Sequence, residues 1–316
     1  MDFNLSDEQV LIQQSIREVA QDFAGISANE ALKSLAEMDF LGMFFPEETG
    51  GAGGDFVSYI LALEELAKVS VSTAAAYAVH STQAAYSLYK WGTSEQKEKY
   101  LAPLCKGEKI GSFAYGEAWA GKDMVLIEAK AEKERDKYVL NGEKTFVLNG
   151  DKADLYIVFA KTGEETTAFV VEKETAGVSV SDPYKKMGLD NVEAVTVTLE
   201  NVEIPASNVI GGEGNGEKVY DSVNAVHNIS LAAIGSGLAS TALEKSIAYG
   251  KERQQFNRPV IKFEALQEMV GNMAANLNAS RLLTLEAASL VDQEKDVKKQ
   301  SMVARYFSIK TGEATC

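Results

Sequence analysis

Apolar positions recur at helical spacing through the first hundred residues and then change to short, strand-like runs. Ile12, Ile16, Val19 and Phe23 are three or four apart, which predicts an amphipathic helix over 7–23. Ser6, followed three residues later by Gln9, reads as a capping box at its start. A second helix is expected over 28–39, with Leu32, Leu35 and Ala36 facing inward. Pro46 and Gly50, Gly51, Gly53 and Gly54 make Leu41–Phe56 a loop. Helices are expected again over 55–68, carrying Ile60, Leu63 and Leu66, and over the alanine-rich stretch 72–90. Thr93 and Gln96 form a second capping-box pattern, ahead of Tyr100, Leu101 and Leu104.

From Ser112 the period shortens. Strands are expected at 125–131, 138–140, 145–148, 155–160, 167–171, 178–180 and 194–199, with Val202–Pro205 leaving the sheet. Without crossover helices between them, these strands predict a compact antiparallel β-domain rather than βαβ units. The run from Gly211 to Gly216 reads as a hinge back to helix. A long helix is expected from Glu217 towards Tyr249, where Ala232, Ala233, Gly235 and Gly237 permit close helix approach. Further helices are expected over 263–290 and 296–311. The fold class is thus α+β: a helical domain over 1–110, a β-domain over 111–212 and a C-terminal helical domain over 213–316. Because the chain stops as the last helix is barely finished, that domain is expected to be a cut-short, incomplete bundle.

Composition narrows the choice of partners. With 46 acidic against 31 basic side chains the net charge is -15, which disfavours nucleic acid and anionic membranes. Cys105 and Cys316, the two cysteines of 316 residues, suit a reducing compartment. The acidic N-terminus lacks a leader pattern, and no apolar run is long enough to span a bilayer. A cytoplasmic location is the resulting expectation. His80 and His227 have no neighbours at zinc-ligand spacing, so no metal is expected. The glycines at 50–54 precede no Lys-Ser or Lys-Thr pair, and Ser112 and Ser236 lack a nucleophile-elbow setting.

Several separated stretches then fall in one order. They are LSDEQVLIQQSIREVAQDFA from Leu5, PEETGGAG from Pro46, Tyr138 through Gly150, Lys186-Met187-Gly188, Glu200 to Pro205, Gly211 to Gly216, Tyr249 to Pro259 and Phe263 to Gln267. Together they resemble the acyl-CoA dehydrogenase family over nearly the whole chain. The resemblance implies FAD as cofactor and oxidation of the α,β carbon–carbon bond of an acyl-CoA thioester. It also implies a glutamate base, hydride transfer to the flavin, and electrons passed to an electron-transferring flavoprotein. Oligomerisation is implied because the family's flavin sites span subunits, either as a homo-oligomer or with another chain of the family.

The same resemblance assigns residues. Phe146 falls at the aromatic wall of the flavin site and Leu148 at a flavin-contacting position. Trp119 lies in the loop beside the cofactor path, and Lys122 and Asn228 fall on the substrate side. Arg253, Gln255 and Phe256 occupy positions that reach a neighbouring subunit's FAD, and a guanidinium suits a pyrophosphate there. His227 stands where a minority of members carry the base and could accept a proton, but a lone histidine beside Asn228 reads first as a packing or polar-capping residue. The loop Gly116-Glu117-Ala118-Trp119-Ala120-Gly121-Lys122-Asp123 departs from the family's Thr-Glu-Pro-Gly-Ala-Gly-Ser-Asp, and the connection between Phe23 and Glu30 is short. The sequence therefore reads as an acyl-CoA dehydrogenase-like oxidoreductase, shortened and divergent at the flavin loop. The alternative is a non-catalytic subunit or acyl-CoA-binding partner of a full-length member, lacking flavin and catalytic base.

Overall fold

The computed structural model describes residues 4–120 and 126–316. Helices α1 (Asp7–Ala20) and α2 (Ala28–Glu37) each begin at a serine whose side chain accepts the third backbone N–H, in a closed capping box. Helix α3 (Phe56–Val69) starts from Asp55, whose carboxylate accepts from Ser58 N–H. Helix α4 (Val71–Ala78) widens into a π-helical segment, Val79–Ala85, and returns to α-helix as α5 (Tyr86–Trp91). Helix α6 (Ser94–Gln96) is capped by Thr93, and α7 (Ala102–Cys105) follows a second π-helical segment, Lys97–Leu101.

Strands β1 (Gly111–Ala114), β2 (Lys130–Glu134), β3 (Lys137–Leu148), β4 (Leu155–Thr162), β5 (Glu165–Glu172), β6 (Val178–Val180), β7 (Ala194–Pro205) and β8 (Val209–Ile210) form one eight-stranded sheet. Its order is β6-β7-β3-β2-β4-β5-β8, with β1 also paired to β4. Most pairs are antiparallel; β2 meets β4 in parallel at Lys130 and Lys161, and β1 runs parallel to β4 along its length. No hairpin joins those two strands, so nothing in the chain path imposes antiparallel pairing on them. The short run at β1 is buried throughout and shows no alternation, which hid it from the sequence pattern. Of the strand expected at 125–131, Val125 lies outside the described residues, and β2 takes the later part.

Two expected strands, 138–140 and 145–148, are a single one. Strand β3 passes through Gly142 by a register shift against β7. Gly142 sits at φ +147°, where a Cβ would meet Ala129 Cβ at 2.6 Å. A bulge therefore bends the strand without ending it. Likewise β7 runs on to Pro205, where the sequence pattern placed its exit.

By contacts the chain divides into two units. One comprises Gly25–Gly54 and Ala75–His227. It contains the sheet and its core, in which Leu155 to Ala160 of β4 are all fully buried. The other comprises Met1–Ala24, Asp55–Ala74 and Asn228–Cys316. It is helical, holding α1, α3 and the later part of α8 (Gly216–Glu252). A small hairpin of β9 (Gln254–Gln255) and β10 (Arg258–Pro259) separates α8 from α9 (Glu264–Asp292), and α10 (Lys298–Thr315) ends the chain.

The expectation of an incomplete C-terminal bundle is corrected. Helices α8, α9 and α10 pack as a three-helix bundle, joined at a buried junction of hydroxyls. Ser236 Oγ lies 2.9 Å from Ser280 Oγ and 3.1 Å from Ser308 Oγ. Ser308 Oγ also donates to Ala232 O. The small residues of α8 leave room for this approach: a Cβ on Gly235 would stand 2.9 Å from Ser308 Oγ. Among the described residues no helix is long and apolar enough to cross a membrane.

Candidate active site

The loop that follows β1 is tied down by Glu117. Its carboxylate accepts the N–H groups of Glu128 and Ala129 at 2.7 and 3.1 Å, and Lys144 Nζ lies 2.6 Å from Oε1. Both side chains of this ion pair are buried. Burial pushes the Lys144 ammonium below its ordinary range, against the pull of Glu117. Gly116 O accepts from Thr145 N–H at 2.8 Å, a second tie to β3. Neither Lys144 nor the anchoring role of Glu117 was read from the sequence. An inward-facing lysine on a strand calls for a buried carboxylate, but the bulge at Gly142 had disguised which positions face inward.

A second shift in the β3 register lies between Lys144 and Val147. It holds Phe146 at φ +53° and turns it off the sheet, 57% exposed. Its ring lies 5.8 Å from that of Tyr184. Leu148, two residues on, is half-buried against the core, and its carbonyl accepts from Ser112 Oγ at 2.7 Å. Trp119 is 89% exposed on the turn before the undescribed residues. Lys122 lies outside the described residues.

His227 is buried on α8, in the unit that contains the sheet. Its Nδ1 lies 3.0 Å from Thr82 Oγ1 in the π-helical segment, a long-range contact that no local pattern announces. Wide helical turns of this kind are frequent at functional sites. Phe113 of β1 and Tyr115 just after it pack with Tyr220 of α8, the Tyr115 and Tyr220 rings 5.2 Å apart. His80, two residues before Thr82, is fully buried. Burial lowers it to about 4.

In the helical unit, Asn228 is buried, and its Oδ1 accepts from Arg305 Nη1 of α10 at 2.8 Å. Arg253 and Gln255 are exposed at and beside the β9–β10 hairpin, and Phe256 is 88% exposed at φ +52°. Phe146, Leu148 and Trp119 thus stand in one unit with His227, while Asn228, Arg253, Gln255 and Phe256 stand in the other.

Models of the acyl-CoA dehydrogenase N-terminal, middle and C-terminal domains match residues 6–108, 112–202 and 214–316. The chain belongs to the acyl-CoA dehydrogenase family. A probable acyl-CoA dehydrogenase YngJ of Bacillus subtilis is 35% identical, over 100% of this chain and 87% of that protein. A short-chain-specific acyl-CoA dehydrogenase of Clostridium acetobutylicum is 37% identical, over 92% and 80%. Among solved structures, butyryl-CoA dehydrogenase from Megasphaera elsdenii superposes with a TM-score of 0.93 at 34% identity, covering 98% of this chain and 86% of that one. A structure described as the electron-transferring flavoprotein of Acidaminococcus fermentans gives 0.95 at 36%, with 98% and 86% covered. The FAD complex of PigA gives 0.94 at 28%, with 100% and 87% covered.

These matches correct the reading of a shortened member with a divergent flavin loop. The middle-domain model runs through Gly116–Asp123, and the solved relatives cover 98–100% of this chain. The acyl-CoA dehydrogenase fold is present in all three domains, and the protein is an acyl-CoA dehydrogenase-like oxidoreductase.

A flavin dinucleotide needs a flat apolar surface for its ring and cationic or N–H donors for its pyrophosphate. The bulge that exposes Phe146 provides a ring of the first kind. Exposed Arg253 and Gln255 provide donors of the second. Each set, taken within its own unit, fits the group.

Proposed function

We propose that this protein is an FAD-dependent dehydrogenase that forms the α,β double bond of an acyl-CoA thioester. Family membership across three domains supports the reaction class. The observation that carries the site assignment is the buried contact between His227 and Thr82 in the unit that also presents Phe146.

FAD, when bound, supplies the acceptor for the hydride that leaves Cβ. In this reading His227, buried on α8, takes the proton from Cα. Phe146 flanks the flavin ring, Leu148 and Trp119 border its path, and Lys122 and Asn228 serve the acyl-CoA side. Arg253, Gln255 and Phe256 reach the FAD of a neighbouring subunit, which makes the working form an oligomer. An exposed phenylalanine held at a left-handed backbone angle supports that role, since water gives such a ring no reason to stand there. An electron-transferring flavoprotein is the proposed acceptor, and the compartment is the cytoplasm.

Visible absorption tests the reading. The purified protein should carry a flavin band that bleaches when a short acyl-CoA is added, and His227→Gln should keep the band but bleach at least about a hundredfold more slowly. A protein that stays colourless after incubation with FAD overturns the proposal.

A further inference from the structure

We propose that a cavity beside the end of β3 binds a small zwitterion with N–H groups to donate, of the α-amino acid class. The cavity lies wholly within the unit that contains the sheet, and its assignment does not depend on the reading of the flavin site.

The cavity has a volume of about 280 Å³, near the small end of ligand sites. It is lined by Asn29 of α2, by Asn149, Asp151 and Lys152 just after β3, and by Asp190 and Glu193 ahead of β7. Two of these side chains hold unmet polar atoms. Asn149 is 2% exposed, and its Nδ2 is buried with no hydrogen-bond partner among the described residues. Asp151 Oδ1 is likewise buried and without a partner, while its Oδ2 receives Lys152 Nζ at 3.2 Å. A donor and an acceptor left unmet beside one cavity cost free energy that a ligand with matching groups returns.

The start of α2 adds a second donor. Ser27 Oγ accepts Glu30 N–H at 3.3 Å, and Asn191 O accepts Ala28 N–H at 2.7 Å. The N–H of Asn29 between them is left uncommitted among the described residues, at a helix end that favours negative charge. The surrounding backbone is already fixed. Asn149 sits at φ +56°, a conformation asparagine tolerates, and its own N–H donates to Glu193 O at 2.6 Å.

Charge selects among ligands. A simple anion suits the donors of Asn149 and Asn29, but it meets Asp151, Asp190 and Glu193 with only Lys152 opposing them among the lining residues. A metal ion suits the carboxylates but faces both donors with a cation. Among the described residues, moreover, no three His, Cys, Asp or Glu side chains form a group able to hold one. A molecule with an ammonium and a carboxylate on neighbouring atoms satisfies both halves. Its N–H groups serve Asp151 Oδ1, and its carboxylate oxygens take Asn149 Nδ2–H and Asn29 N–H.

The test screens a panel of free L-amino acids against the purified protein by saturation-transfer difference NMR and titrates the strongest by calorimetry. At least one should bind at a single saturable site. Its trimethylammonium derivative keeps both charges but has no N–H for Asp151, and it should bind at least about tenfold more weakly. Propylamine and propionate, each with one of the two charges, should be weakened at least as much. Asp151→Asn and Asn149→Asp both preserve size and should each weaken the amino acid at least about tenfold while a cooperative thermal melt is retained. If no amino acid saturates a site, the cavity holds only water and the assignment is overturned. Equal binding of propylamine, or an affinity that neither substitution changes, overturns it as well.

Discussion

Glu64 and Glu65 are consecutive buried residues of α3 whose carboxylates are held in opposite ways. Glu64 Oε1 lies 2.9 Å from Arg281 Nε of α9. Glu65 receives Arg17 at 3.0 Å, Lys68 at 2.9 Å and Gln13 at 2.8 Å. Burial pushes Glu64 above the ordinary carboxylate range, and Arg281 only partly opposes it. Burial also pushes Glu65 upward, but the hydrogen bonds from Arg17 and Lys68 outweigh it and leave the group below its ordinary value. The stability contributed by Glu65 is present above the unfolded value and lost as pH falls through the folded one. For Glu64 the sign reverses, and stability declines as pH rises from the unfolded to the folded value. Glu65→Gln should flatten the acid limb of stability, and Glu64→Gln should remove the decline above it. Urea midpoints between about pH 3 and 7 decide both.

His80 gives a second pH dependence. Its folded value of about 4 lies below the ordinary 6.5, so the unfolded chain takes up a proton first as pH falls. Stability from the neutral ring is present above 6.5 and lost towards 4, about 3 kcal/mol in all. His80→Gln, which keeps a donor and an acceptor, should show no such loss across that window in thermal melts.

The Glu117–Lys144 pair should behave as a unit. Lys144→Met or Glu117→Leu alone strands a buried charge and should cost about 3–5 kcal/mol. The double variant should be more stable than the sum of the two single losses predicts. Chemical denaturation of the four proteins gives the coupling directly.

Close approach within the helical unit makes another demand. A Cβ on Gly237 would stand 2.8 Å from Ala67 Cβ of α3, with backbone of Glu64 nearby. Alanine favours helix over glycine by about 1 kcal/mol, yet overpacking here should dominate. Gly237→Ala should lose about 1–3 kcal/mol, measured as a lower midpoint in denaturant.

If Arg253 binds a pyrophosphate, Arg253→Ala should weaken FAD binding by about tenfold or more, followed by quenching of FAD fluorescence. The melting temperature of the flavin-free protein should be unchanged, because a surface guanidinium contributes little to the fold. A normal FAD affinity would remove Arg253 from the site.

Local chemistry was legible in the sequence. The capping boxes at Ser6 and Thr93, the helical periods and the small residues of α8 all have local signatures, and each forms as expected. What escaped depends on distant partners. Lys144 faces inward because a bulge resets the strand's phase, and Thr82 meets His227 because α8 brings it from 145 residues away. The packing of the C-terminal helices escaped as well, because the Ser236, Ser280 and Ser308 junction joins helices that are far apart in sequence.

The wide turn at Val79–Ala85 has one more implication. Closing its hydrogen bonds to the fifth residue rather than the fourth, it stores a residue for which an ordinary helix has no place. A chain one residue shorter here would revert to regular helix and rotate one flank against the other by about 100°. Its circular dichroism would barely change, while His80 and Thr82 could no longer both meet their partners. Helix content is therefore a poor witness for this segment: the loss of one residue would undo the contacts of His80 and Thr82 and leave the spectrum of a healthy protein.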